Sequence, residues 1–85
     1  MNAIPENFSQ RVGRQVEKMV AVYFAREDGR RPDLYKLVIG MAEKPLIESI
    51  LARHDGNLSR AALTLGINRN TLRKKMLDYG IHVSN

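Results

Sequence analysis

Near the end of the chain, from Asn57 to Met76, the residues fall in an order that few folds accept. Ala62 stands four positions before Gly66, where only a small side chain lets a second helix approach closely. Gly66 supplies a positive φ that ends one helix without steric cost. Ile67 turns back toward the core, and Asn68 caps the next helix by accepting from its free N–H groups. Leu72, Met76 and Tyr79 then recur at i, i+4 and i+7, so this helix buries one face and displays the other. Arg69, Arg73, Lys74 and Lys75 ride on the same short segment. The spacing predicts two helices, about 58–65 and 69–78, joined by a tight turn, with the second showing a basic face.

The charge distribution agrees. The chain has 85 residues and a formal charge of +5. Residues 56–85 hold five Lys/Arg against one acid, whereas residues 1–55 hold nine against eight. The excess therefore sits in the turn-containing segment and points to a polyanionic partner, double-stranded DNA above all. A basic helix can also be merely solvated; it is the combination with the turn that favours DNA.

Upstream, Val12, Val16, Met19, Val20, Tyr23 and Phe24 follow the period of one helical face from about Ser9 to Arg26. Glu27 to Pro32 forms a polar turn with both Gly and Pro. Asp33 is placed to cap a second long helix reaching about His54, with Asp55-Gly56 as its stop. That helix is apolar on nearly every side. Leu34, Leu37, Val38 and Met41 make one stripe, and Tyr35, Ile39, Ala42 and Leu46 make another. One long helix and a small three-helix unit do not cover it, so a second copy of the chain is expected to. Pro45 should kink this helix rather than end it, because Leu46, Ile47, Ile50 and Leu51 resume helical spacing at once. The bend would let the first part serve a dimer while the last part packs under the basic unit. The expected fold is all-α, with four helices per chain. Residues 1–8 form a flexible lead-in, 9–54 the dimerisation helices with a core of Leu34, Leu37, Val38, Met41 and Leu46, and 55–85 the helix-turn-helix.

Catalysis finds no support. His54 sits at a helix end, where a cation suits the dipole, and His82 lies in the tail. His54 and Asp55 are sequence neighbours, which does not set a carboxylate behind an imidazole. No G-x-G-x-x-G loop occurs, and the four methionines fall mainly on apolar faces. With no cysteine there is neither a disulfide framework nor a thiolate zinc site, which suits a reducing cytoplasm. No enzyme, metal or cofactor is expected. Neither a signal peptide nor a membrane-spanning run is present, so the expected location is the cytoplasm, at the nucleoid.

The run Gly56-Asn57, Arg60-Ala61-Ala62-Leu63, Gly66-Ile67-Asn68-Arg69, Thr71-Leu72-Arg73-Lys74-Lys75 and Tyr79-Gly80 resembles the Fis family of bacterial nucleoid-associated proteins. The likeness continues upstream through Tyr23-Phe24-Ala25, Asp33-Leu34-Tyr35 and Lys44-Pro45-Leu46, and covers roughly residues 10–81. The C-terminal module of NtrC-type activators shares the helix-turn-helix alone, but carries it on an ATPase domain not found here. The resemblance implies a homodimer whose first two helices intertwine and whose C-terminal units enter adjacent major grooves, bending the DNA. It implies that Asn68 and Arg69 reach base edges, with Asn57, Ser59, Thr71, Arg73, Lys74 and Lys75 mainly on phosphates. Arg60 and Lys75 are placed to meet phosphates that curvature brings inward.

Two departures accompany the likeness. About nine residues precede the first helix, fewer than the arm with which the best-known family member contacts a recombinase, so the resemblance does not carry a recombinase partner over to this chain. Leu77 and Asp78 stand where the family often has lysines, which predicts somewhat weaker, more salt-sensitive binding. RNA polymerase is a candidate protein partner. The rival readings are a regulator dedicated to a few promoters and, from another class, a helical adaptor that binds protein through its apolar helix. Asn68-Arg69 at the start of an exposed helix separates them, because an adaptor does not need it.

Overall fold

A computed structural model describes residues 4, 7–26 and 33–83. It contains helices α1 (Asn7–Ala25), α2 (Leu34–Arg53), α3 (Leu58–Leu65) and α4 (Arg69–Tyr79), with no strand among the described residues. The all-α reading holds, and the helix bounds lie within two residues of those expected. The lead-in assigned to residues 1–8 falls largely outside the described residues, as does the turn at 27–32. Asn7 and Phe8 already belong to α1. The chain divides into two compact units, Met1–Val38 and Ile39–Asn85.

In the first unit, α1 has no fully buried residue. Val16, Met19, Val20 and Tyr23 are half-buried, while Val12, Val22 and Phe24 are exposed. The Tyr23 and Phe24 rings meet edge to face, with centroids 5.2 Å apart. The Arg11 guanidinium lies 5.9 Å from the centroid of the Phe8 ring. Leu34, Leu37 and Val38 on the first turns of α2 are half-buried, and Tyr35 is open to solvent.

The second unit holds the core. Ile47 and Leu51 of α2, Ala61 and Ala62 of α3, and Leu72 and Met76 of α4 are its buried residues. Ile50, Leu58, Leu65, Ile67, Tyr79, Ile81 and Val83 pack around them. The last turns of α2 thus lie beneath the helix pair that follows, as the resumed apolar spacing after Pro45 predicts. α2 is one helix through Pro45, whose ring nitrogen cannot donate the backbone hydrogen bond of its turn. Met41 and Leu46 remain about half exposed, at 52% and 53%.

α2 stops at two successive left-handed residues, Asp55 (φ 52°) and Gly56 (φ 79°). Aspartate tolerates this conformation better than most side chains. Gly56 is required twice over, because a Cβ there would also run into the Val83 side chain. The Gly56 N–H donates to the Leu51 carbonyl at 2.8 Å, closing the last turn. His54 Nε2 lies 2.8 Å from Thr64 Oγ1 and ties the end of α2 to the last turn of α3.

Candidate nucleic-acid interface

The connection between α3 and α4 is built from local chemistry. Gly66 takes φ 73°, a left-handed conformation that glycine adopts freely and residues with a side chain rarely do. Its N–H donates to the Leu63 carbonyl at 3.2 Å, and the Ile67 N–H to the Ala62 carbonyl at 3.1 Å. Paired bonds of this kind satisfy carbonyls that the helix end leaves open and return the next apolar residue to the core. Ile67 is half-buried there, and Ala62 is buried where α3 and α4 approach. α4 closes in the same way, with Gly80 donating to Leu77 at 3.2 Å and Ile81 to Met76 at 2.8 Å.

Both helices begin on asparagine caps. The Asn68 side-chain oxygen accepts from the Asn70 N–H at 2.7 Å. Asn57 does the same for α3, accepting from the Arg60 N–H at 3.1 Å. This cap on α3 was readable from an Asn just before the first apolar residue, yet sequence reasoning named Asn57 only for phosphate. In each case the oxygen is engaged at the cap, and the amide NH2 group is not used by it.

At about 100° per residue, Leu72, Met76 and Tyr79 share one side of α4, and Asn70, Arg73, Lys74 and Leu77 the opposite one. Burial follows this division. Leu72 and Met76 are buried, whereas Arg69, Asn70, Thr71, Arg73, Lys74 and Leu77 are exposed. Ser59 and Arg60, on the first turn of α3, are exposed as well. The residues named for DNA thus lie on exposed parts of α3, α4 and their caps, with one exception.

Lys75 is that exception. It is half-buried, and its Nζ lies 2.9 Å from Glu43 Oε2 on α2. The other oxygen, Glu43 Oε1, accepts the Tyr79 hydroxyl hydrogen bond at 2.6 Å. The Tyr79 ring lies over Gly40, one turn before Glu43, where a Cβ would come within 3.4 Å of the ring carbon Cε1. The Tyr79 hydroxyl, and then Lys75, hold the Glu43 carboxyl below the usual carboxylate range. In return, Glu43 pushes the Tyr79 phenol up. Sequence reasoning missed Glu43. The available signal was Tyr79 on the buried face, since a covered tyrosine hydroxyl needs a partner.

Two short helices joined at a left-handed glycine, the second presenting a polar and basic face, define a helix-turn-helix DNA-binding protein. The profile described as "Bacterial regulatory protein, Fis family" matches residues 39–79. Relatives named "DNA-binding protein Fis" match much more of the chain. The one from Actinobacillus succinogenes is 45% identical over 67 residues, which is 78% of this chain and 68% of the relative. Those from Yersinia enterocolitica and Pectobacterium carotovorum are each 44% identical over 68 residues, 79% of this chain and 69% of the relative. The chain belongs to the Fis family. No helix among the described residues is long and apolar enough to cross a membrane.

Proposed function

We propose that this chain acts as a homodimer that bends DNA with loose sequence preference, organising the nucleoid and adjusting transcription. The observation that carries the reading is the division of α4, whose packed side fixes it to α3 while Asn70, Arg73 and Lys74 face outward. In this reading α4 lies in the major groove. Asn68 and Arg69 at its leading end read base edges, Arg69 as a guanine reader. The Asn68 oxygen is taken by the cap, so its amide donates to base acceptors. Asn57, Ser59, Arg60, Thr71, Arg73 and Lys74 position the unit on phosphates. The reading is of a binding protein at the nucleoid in the cytoplasm rather than an enzyme. RNA polymerase is its candidate protein partner.

Dimerisation is supported by what a single chain leaves uncovered. Met41 and Leu46 on α2, and Val12 on α1, are more than half exposed, although each lies on an apolar stripe. A second copy covers them most economically, with Leu34, Leu37 and Val38 in the same core. Bending follows from spacing. Two major grooves on one face of straight DNA lie roughly 34 Å apart, and the family resemblance implies recognition helices closer than that. Both then engage only where the intervening minor groove narrows. The curvature costs on the order of 1–6 kcal/mol, and least at AT-rich centres.

The test holds the outer half-sites constant and exchanges an AT-rich centre for a GC-rich one. Affinity and the gel mobility of circularly permuted fragments are measured. Tighter binding to the AT-rich centre, with mobility depending on site position, is expected. Equal affinity for both centres and position-independent mobility defeat the bending model. Failure to bind either fragment defeats the whole reading.

A further inference from the structure

The four cations of α4 are not equivalent. Arg69, Arg73 and Lys74 are exposed and have no carboxylate partner among the described residues. Lys75 follows Leu72 by three positions and precedes Tyr79 by four, which sets it on the flank of the packed side. There Glu43 uses both oxygens at once, one on the Lys75 ammonium at 2.9 Å and one on the Tyr79 hydroxyl at 2.6 Å. The side chains of Lys75 and Glu43 are only 33% and 25% exposed, so water and salt screen this pair less than a fully exposed one.

The geometry points to Glu43 as a specificity-determining residue that withholds Lys75 from the DNA backbone. This rests on the reading that α4 lies in the major groove. A lysine on phosphate adds affinity for every sequence alike. For Lys75 to make that contact it must leave Glu43, and the released carboxylate then stands unpaired beside a polyanion. Both terms oppose the move. Sequence-independent attraction is therefore left to Arg73, Lys74 and Arg60, and the base contacts of Asn68 and Arg69 weigh more in the total, since specificity is a difference of affinities. The same carboxylate holds α4 at two points one turn apart, Lys75 and Tyr79, which fixes the rotation of the helix about its axis. Glu43 acts on DNA through these two residues and touches none itself.

The decisive experiment is the salt dependence of binding to random-sequence DNA for the full chain and four variants. Lys74→Gln should lower the log K against log salt slope by about 0.9 per chain. The double variant Glu43→Gln/Lys75→Gln keeps net charge and leaves two neutral amides where the ion pair stood, and its slope should equal the parent's. Glu43→Gln alone keeps an acceptor for Tyr79 but frees Lys75. Its slope should steepen by about 0.9 per chain, so that a fourfold rise in salt costs it three to four times more affinity per chain than the parent. Adding Lys75→Gln to it should cancel that gain, while Lys75→Gln alone, leaving a bare carboxylate, should bind more weakly than the double variant.

A double variant that loses as much slope as Lys74→Gln puts Lys75 on phosphate and overturns the inference, leaving α4 in the groove. A Glu43→Gln protein with the parent's slope and a lowered melting temperature makes Glu43 purely structural and also overturns it. If Lys74→Gln leaves the slope unchanged, the placement of α4 on DNA fails, and this inference fails with it. If Glu43→Gln does not fold, the double variant against Lys74→Gln still decides.

Discussion

Gly56→Ala and Gly66→Ala introduce the same methyl group into the same kind of backbone, and their difference isolates a single contact. Both glycines are left-handed, at φ 79° and 73°. An L-residue held in that conformation costs about 1–2 kcal/mol, so both variants should lose at least this much. A Cβ on Gly66 meets nothing within 4 Å, and its cost should stop there. A Cβ on Gly56 runs into Val83, which is half-buried against the core of Ile47, Leu51, Leu72 and Met76. Either the core yields, at about 1–3 kcal/mol for overpacking, or the tail lifts away and about 1 kcal/mol of half-buried valine is lost. The expected totals are roughly 1–2 kcal/mol for Gly66→Ala and 2–5 kcal/mol for Gly56→Ala. Urea unfolding followed by circular dichroism measures both. Protein concentration must be matched, because the stability of the proposed dimer would depend on it. Val83→Ala should reduce the Gly56→Ala penalty and leave the Gly66→Ala penalty unchanged. Equal losses at the two glycines, or no coupling between Gly56 and Val83, would refute the assignment of the tail to this site.

Three further outcomes are expected. Arg69→Ala should cost about 1–3 kcal/mol per half-site and flatten the preference at one guanine position; selectivity retained at every base in competition assays would make Arg69 a phosphate contact. Met41→Lys should unfold the protein rather than yield a stable monomer, and sedimentation showing a folded monomer would remove α2 from the dimer core. Because Glu43 has a depressed pKa in the fold, its contribution is complete above the ordinary carboxylate value of about 4.3 and lost as pH falls through the lower folded value. The stability gap between parent and Glu43→Gln should therefore be constant near neutrality and close only in acid, and a gap that widens in acid contradicts the Tyr79–Glu43–Lys75 arrangement.

What could be read from the chain divides by distance along it. The turn was legible because its requirements are local: Gly66 for a left-handed backbone, Ala62 for close approach, Asn68 for the free N–H groups of α4. The packed stripe of Leu72, Met76 and Tyr79 was legible because helical period alone sets it. Glu43 was not, because nothing in the chain over the 36 positions that separate it from Tyr79 records that α2 and α4 meet there. The second demand on Gly56 was hidden for the same reason, since it comes from Val83 in the tail. The partner of His54, Thr64, lies one helix away, and no sequence pattern links them. Lys75 shows the consequence: its residue type and helix suggested phosphate, and only the three-dimensional neighbour shows a competing carboxylate.

The buried core of the second unit takes two of its six residues, Ile47 and Leu51, from α2. A fragment cut at Asn57, where the two short helices begin, would leave Leu72 in a core emptied of Ile47, with which it forms the pair of largest fully buried side chains among the described residues. The smallest transplantable piece must therefore start well upstream, near Ile39, where both the compact unit and the match to the family profile begin. Anyone grafting this reader onto another protein, or tracing how it was exchanged between proteins, should look for a breakpoint inside the long helix rather than in the loop that follows it.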